Sequence, residues 1–205
     1  SAAVRPRDGD DGPVPLPSAT PSAAPTATET PTPTATPDLS PVEVTVRVDG
    51  SGDYATLAEA AAGVTPESTI ILEAGSFRLE TTLVLDRPVT VRGAGMDETE
   101  IVGAAPGPVI LFQGPGALTM EMLTIQREGT EEGDGLAVAD GDVMLDRLRV
   151  SGAFTAEDGT PRAGIRLSGA TSGAVTNCEV LGNSYNGIRV EDQAVIDVSD
   201  GSVDV

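Results

Sequence analysis

Two short patterns recur along this chain and leave little freedom in how it can fold. Gly135-Leu136-Ala137-Val138, Gly164-Ile165-Arg166-Leu167 and Gly187-Ile188-Arg189-Val190 form one set, starting 29 and 23 residues apart. Met120–Ile125, Leu145–Val150 and Val175–Val180 form a second, spaced 25 and 30. Both sets place the longest interval around a polar stretch from Ala153 to Arg162. A repeat of about 20–30 residues made of short apolar runs between Gly, Asn and Asp turns predicts a parallel β-solenoid. One coil turns only a few Val, Ile and Leu inward and cannot bury them alone. Coils stacked about 4.8 Å apart bury them in a continuous column and pair each strand with the next. Residues 42–205 allow about six or seven such coils.

The body opens with alternation at Val42, Val44, Val46 and Val48, a period-two strand. Asp49-Gly50-Ser51-Gly52-Asp53 follows as a polar turn. Thr56 and Glu59 have capping-box spacing, and Leu57, Ala60, Ala61 and Val64 make one apolar helix face that Pro66 ends. No other segment reads as a helix. The expected class is all-β: a right-handed parallel β-helix with one short N-terminal capping helix, preceded by an extended Pro/Thr-rich tail.

That tail, residues 1–41, holds 10 of the 16 prolines and 2 of the 24 glycines. It has nothing large to bury, so the expectation is a spacer or a strap on a partner, divided at 41/42 from the β-helix domain of 42–205. Its Pro/Thr/Ala composition, the absence of Lys and a single Cys fit an exported or cell-surface protein.

Composition excludes several activities. The 205 residues carry a formal net charge of -20, which argues against nucleic-acid binding. With no His there is no His-based general base, metal ligand or Ser-His-Asp triad. Cys178 stands alone, so no intrachain disulfide forms, and without a His to activate it it reads as a small interior side chain. No apolar run reaches about 18 residues, so no helical membrane span is expected.

The stretch Val46-Arg47-Val48-Asp49-Gly50-Ser51-Gly52-Asp53-Tyr54-Ala55-Thr56-Leu57 resembles the N-terminal cap of the pectin lyase-like β-helix superfamily, and pectin methylesterases most closely. Pro88–Gly95 and Asn177–Asn183 continue the resemblance, which spans about residues 44–205. It implies a right-handed β-helix and polysaccharide chemistry. The catalytic segments of that family do not carry over: Ala153-Phe154-Thr155 stands where Gln-Asp-Thr is expected, and the substrate-binding Gln position holds Asp134 or Gly135. No catalytic residue is therefore expected.

Among candidate sites, Asp49, Ser51 and Asp53 have the i, i+2, i+4 spacing of a Ca²⁺ loop, but its twelfth position is Ala60 rather than Glu, which favours a plain turn. Glu131 and Asp134, within the run Glu128 to Asp134, are weak Ca²⁺ candidates read as solvated acids. No cofactor is expected otherwise. Asn177, Asn183 and Asn186 read as left-handed bend residues. The last residues run in mid-pattern, so Val203 and Val205, together with Pro31 and Pro33 of the tail, are expected assembly contacts in a homo-oligomer or polymer. The functional expectation is a non-catalytic extracellular solenoid that self-associates into a surface fibre or sheath. The alternatives are a polysaccharide-binding or carbohydrate-active module, with its groove along Arg166, Arg189 and residues 185–193, and a stalked ectodomain fragment of a larger surface protein.

Overall fold

The computed structural model describes residues 39–157 and 159–204. After β1 (Glu43–Val46) comes α1 (Leu57–Gly63), and from there the chain winds as a parallel β-solenoid of about six turns. One coil is β2 (Ser68–Leu72), β3 (Gly75–Leu79) and β4 (Leu83–Leu85), and the next is β5 (Val89–Arg92), β6 (Thr99–Gly103) and β7 (Ile110–Phe112). Then come β8 (Ala117–Arg127) with β9 (Leu136–Val138), and β10 (Asp142–Ser151) with β11 (Ala163–Leu167). The last coils hold β12 (Ser172–Thr176), β13 (Glu179–Leu181) and β14 (Asn186–Val190), then β15 (Val195–Ser199) and β16 (Ser202–Val203). The strands stack on three faces: β1-β2-β5-β8-β10-β12-β15, β3-β6-β8-β10-β13-β16 and β4-β7-β9-β11-β14.

The two sequence patterns are the register of these sheets. Ile165 pairs with Leu136 and Ile188, and Arg166 with Ala137 and Arg189. Leu145 pairs with Met120 and Val175, and Val150 with Ile125 and Val180. Each face thus carries an unbroken inward column. On the first face it runs Val44, Ile70, Val91, Met120, Leu145, Val175, Val198. Burial of one such side chain stabilises by about 1.5–3 kcal/mol, and only stacking provides it.

The two long strands contain a surprise. The patterns Met120–Ile125 and Leu145–Val150 each lie within one long strand that spans two faces, β8 and β10. Each strand turns its corner at a left-handed residue without breaking, Met122 (φ 56°) in β8 and Arg147 (φ 52°) in β10. Asn177 (φ 53°) and Asp200 (φ 53°) take the same corner in the next coils, Asn177 as expected. Asn183 and Asn186 do not adopt that geometry. Gly182 (φ 61°) takes the left-handed position instead, leaving Asn183 to bury its side chain, whose Oδ1 accepts the Ala153 N–H at 3.0 Å. Asn186 opens β14 opposite Ala163.

α1 forms where its cap predicts: Thr56 Oγ1 accepts the Glu59 N–H at 3.1 Å. Leu57, Ala60, Ala61 and Val64 are buried, and the helix packs on β1, β2 and β4. It closes that end of the solenoid. The column heads Val44, Phe77 and Leu85 are 9, 6 and 2% exposed. At the opposite end the same three columns finish in Val198, Val203 and Val190, which are 51, 49 and 48% exposed. Val205, Pro31 and Pro33 lie outside the described residues.

Candidate functional site

The third face, the end of β8 and the loop between β10 and β11 bring four arginines together. β8 alternates Leu123, Ile125, Arg127 on its inward side, so Arg127 is buried at the strand's end. Burial lowers its pKa below the ordinary arginine value, an effect partly countered by the charge of Asp134. Its guanidinium is held by carbonyls: Nε donates to Glu131 O at 3.1 Å, Nη1 to Ala105 O at 2.8 Å and Gly107 O at 3.1 Å, and Nη2 again to Glu131 O.

Asp134, just before β9, is wholly buried. Its Oδ1 accepts the Ala163 N–H at 2.8 Å and its Oδ2 accepts Arg166 Nε at 3.0 Å, with Arg162 Nη1 at 3.8 Å. Arg166 Nη1 lies 3.9 Å from Glu191, and Arg189 Nη2 lies 2.5 Å from the same carboxylate. Arg189 Nη1 donates to the neutral Pro161 carbonyl at 3.0 Å, next to Arg162, and so closes the series Arg162, Asp134, Arg166, Glu191, Arg189 into a ring through the backbone. Arg162 Nη2 reaches Glu132 at 3.9 Å on the rim.

The ring fastens the loop of residues 152–162 to the sheet. Backbone bonds between Gly133 and Phe154, an Ala156 N–H donated to Glu132 Oε1 at 3.0 Å and a Thr155 N–H donated to Ser184 Oγ at 2.7 Å add to the fastening. Tyr185 stands exposed between Ser184 and Asn186, both of which bond the loop. Arg127, Arg162, Arg166 and Arg189 stand against Glu131, Glu132, Asp134 and Glu191, so opposite charges balance locally in a chain of net charge -20. Asp134 itself has both oxygens engaged and does not serve as a free base.

The cation candidates are dispersed. Asp49 Oδ1 accepts the N–H and the hydroxyl of Ser51 at 2.9 and 2.7 Å, and Asp53 Oδ2 accepts the Thr45 N–H at 2.7 Å, so both close the turn after β1. Asp134 is not the solvated acid read from the sequence, because the loop and Arg166 cover it. Glu131 contributes its carbonyl to Arg127. Among the described residues no group of three or more His, Cys, Asp or Glu converges as a metal site. Cys178 is buried, which raises its pKa and keeps it a thiol.

Sequence reasoning found Arg166 and Arg189 but missed Arg127, Arg162 and the role of Asp134. For Arg127 the signal was present: it continues the inward phase of Ile125. Asp134 and Arg162 carry no periodic mark, since their partners come from other coils.

No protein-family model matches this chain, and no curated protein sequence does. Among solved structures it is similar to ORF18 of Geobacillus virus E2, with a TM-score of 0.54 and 13% identity over 74% of this chain and 35% of that one. It is also similar to a pectin methylesterase solved in complex with a hexasaccharide, with a TM-score of 0.49 and 15% identity over 66% of this chain and 54% of that one. The chain spans about a third and about half of the lengths of these two proteins. The likeness to the viral protein is one of fold. Among the described residues no helix is long and apolar enough to cross a membrane.

Proposed function

We propose that this solenoid is a non-catalytic structural module of the cell surface that associates with a second copy through its uncovered last coil. The observation that carries the reading is the contrast along single columns: Met120, Leu145 and Val175 are at most 1% exposed, and Val198, next in line, is half exposed. Val203 and Val190 repeat this on the other two faces, beside edges of β14, β15 and β16 that pair with no further strand among the described residues. Such an edge gains both hydrogen bonds and apolar burial from a stacked coil. α1 covers the other end, so stacking by itself joins two copies, and growth into a fibre or sheath would rest on residues 1–41. The Pro/Thr-rich composition of those residues supports export.

Sedimentation equilibrium of the chain and of Val198→Asp/Val203→Asp tests this. A dimer or larger species that the double variant returns to monomer is expected. A monomer at every concentration overturns the reading and leaves the last coil to be covered by residues that follow in a longer chain.

A second reading, recognition of an acidic polysaccharide, is favoured by the arginine ring and the exposed Tyr185 beside it. A glycan array that includes oligogalacturonates, read with wild type and Arg189→Ala, tests it: a uronate-selective signal lost in the variant supports it, and a blank array removes it.

A further inference from the structure

Beside the capping helix, and away from both surfaces just described, lies a cleft of about 540 Å³. We propose that it is a binding site for an apolar-bodied organic anion, a carboxylate or sulfonate carried on an aliphatic or aromatic frame. The volume falls in the range of small-molecule sites, about 300–1,000 Å³.

The helix has two apolar faces. Leu57, Ala60 and Ala61 pack inward, whereas Ala58 and Ala62 stay exposed and line the cleft. Phe77 and Leu79 of β3, Val84 of β4 and Val48 complete the apolar lining. Val48 and Val84 are exposed large apolar side chains, so an apolar body gains burial here without displacing core.

Both walls are also sheet edges. Among the described residues β3 pairs only with β6 and β4 only with β7, so each presents a sheet edge whose backbone groups can meet polar atoms of a ligand. Arg47, Arg78 and Arg87 line the cleft against Glu80 and Asp86. Each arginine is already held in place: Arg47 by Glu73 at 2.6 Å, Arg78 by Glu128 at 3.1 Å, and Arg87 by Asp86 at 2.8 Å and the Val64 carbonyl at 3.0 Å. A guanidinium has five N–H donors, so these partners position it and leave donors for an anion. The pairs with Glu73 and Glu128 are exposed surface pairs, which are weak and readily shared.

The test uses the full chain and the fluorescence of anilinonaphthalene sulfonate, with decanoate and decanol as competitors. One saturable site is expected, displaced by decanoate at least about tenfold more effectively than by decanol. Ala58→Trp, which fills the cleft from an exposed helix position, and Arg78→Glu should each weaken it at least about tenfold. Val198→Asp, at the uncovered last coil, should leave it unchanged, which separates this site from the proposed stacking surface. Circular dichroism confirms that each variant is folded. Binding that survives Ala58→Trp, binding lost in Val198→Asp, decanol competing as well as decanoate, or no saturable site in the wild type overturns the proposal.

Discussion

Arg166 Nε sits 3.0 Å from Oδ2 of Asp134, a wholly buried carboxylate that reaches it from 32 residues earlier in the chain. Neither residue makes sense alone. Asp134 is tolerated in the interior because Arg166 and the Ala163 N–H satisfy it, and Arg166 lies partly withdrawn from solvent against Asp134. Removing one partner strands the other. Asp134→Ala should cost about 3–5 kcal/mol in urea unfolding, because Arg166 and the Ala163 amide lose their acceptor. Glu132→Ala, at the partly exposed rim, should cost no more than about 1 kcal/mol. Equal effects would show that the ring contributes no more than a surface pair.

The corner at Asn177 gives a pH effect with a definite sign. Asn177 Nδ2 donates to Asp146 Oδ1 at 2.8 Å, with Arg147 and Thr176 also donating, and this holds the Asp146 carboxyl below its ordinary range. A depressed carboxyl stabilises the fold fully above the unfolded-state pKa, and that stabilisation is lost as pH falls through the folded value. Asn177→Gly keeps the left-handed backbone and removes the donor. The Asp146 titration, followed by carboxyl-carbon NMR, should move upward, and acid unfolding should begin at higher pH. An unmoved titration would mean that Arg147 and Thr176 hold the carboxyl without Asn177.

Coils approach closely at several glycines, Gly173 among them. A Cβ there, at φ +141°, would lie 1.8 Å from the Val143 carbonyl oxygen, on the coil beneath. Gly173→Ala should cost more than about 4 kcal/mol or prevent folding. Gly182, at φ +61°, has open space around it, so Gly182→Ala should cost only the left-handed backbone penalty of about 1–2 kcal/mol. Thermal unfolding of the pair separates steric exclusion from backbone strain.

Position along a column should decide how much a truncation costs. Leu145→Ala, mid-column and wholly buried, should lose about 2–5 kcal/mol. Val198→Ala, at the half-exposed end of the same column, should lose less than about 1 kcal/mol in the monomer. A larger loss at Val198 that depends on protein concentration would report a covering partner.

Much of this architecture was legible because stacking imposes its period on the chain. The spacings of Gly135, Gly164 and Gly187 are coil lengths, and the residues that correspond between repeats are those that pair. The helix was legible through Thr56 and its Leu57, Ala60, Ala61, Val64 stripe. β3 was not, since Phe77 is its one fully buried side chain and a single residue makes no pattern. The left-handed corners at Met122 and Arg147 were invisible as well, because neither residue type marks that conformation. The cleft beside α1 was missed because Ala58 and Ala62 look like helix filler until β3 and β4 stand opposite them.

The sequence by itself determined that the chain winds into coils, where the coils begin, and which side chains turn inward. Those properties follow from local alternation and from a repeat whose parts cannot be buried singly. Only the tertiary structure decided that Asp134 and Arg127 are interior charges, that α1 covers one end while the valines of the last described coil are exposed, and that three arginines line one apolar cleft. Charge pairing and end coverage join residues from different coils, and their distance in space is set by the winding, not by their separation along the chain.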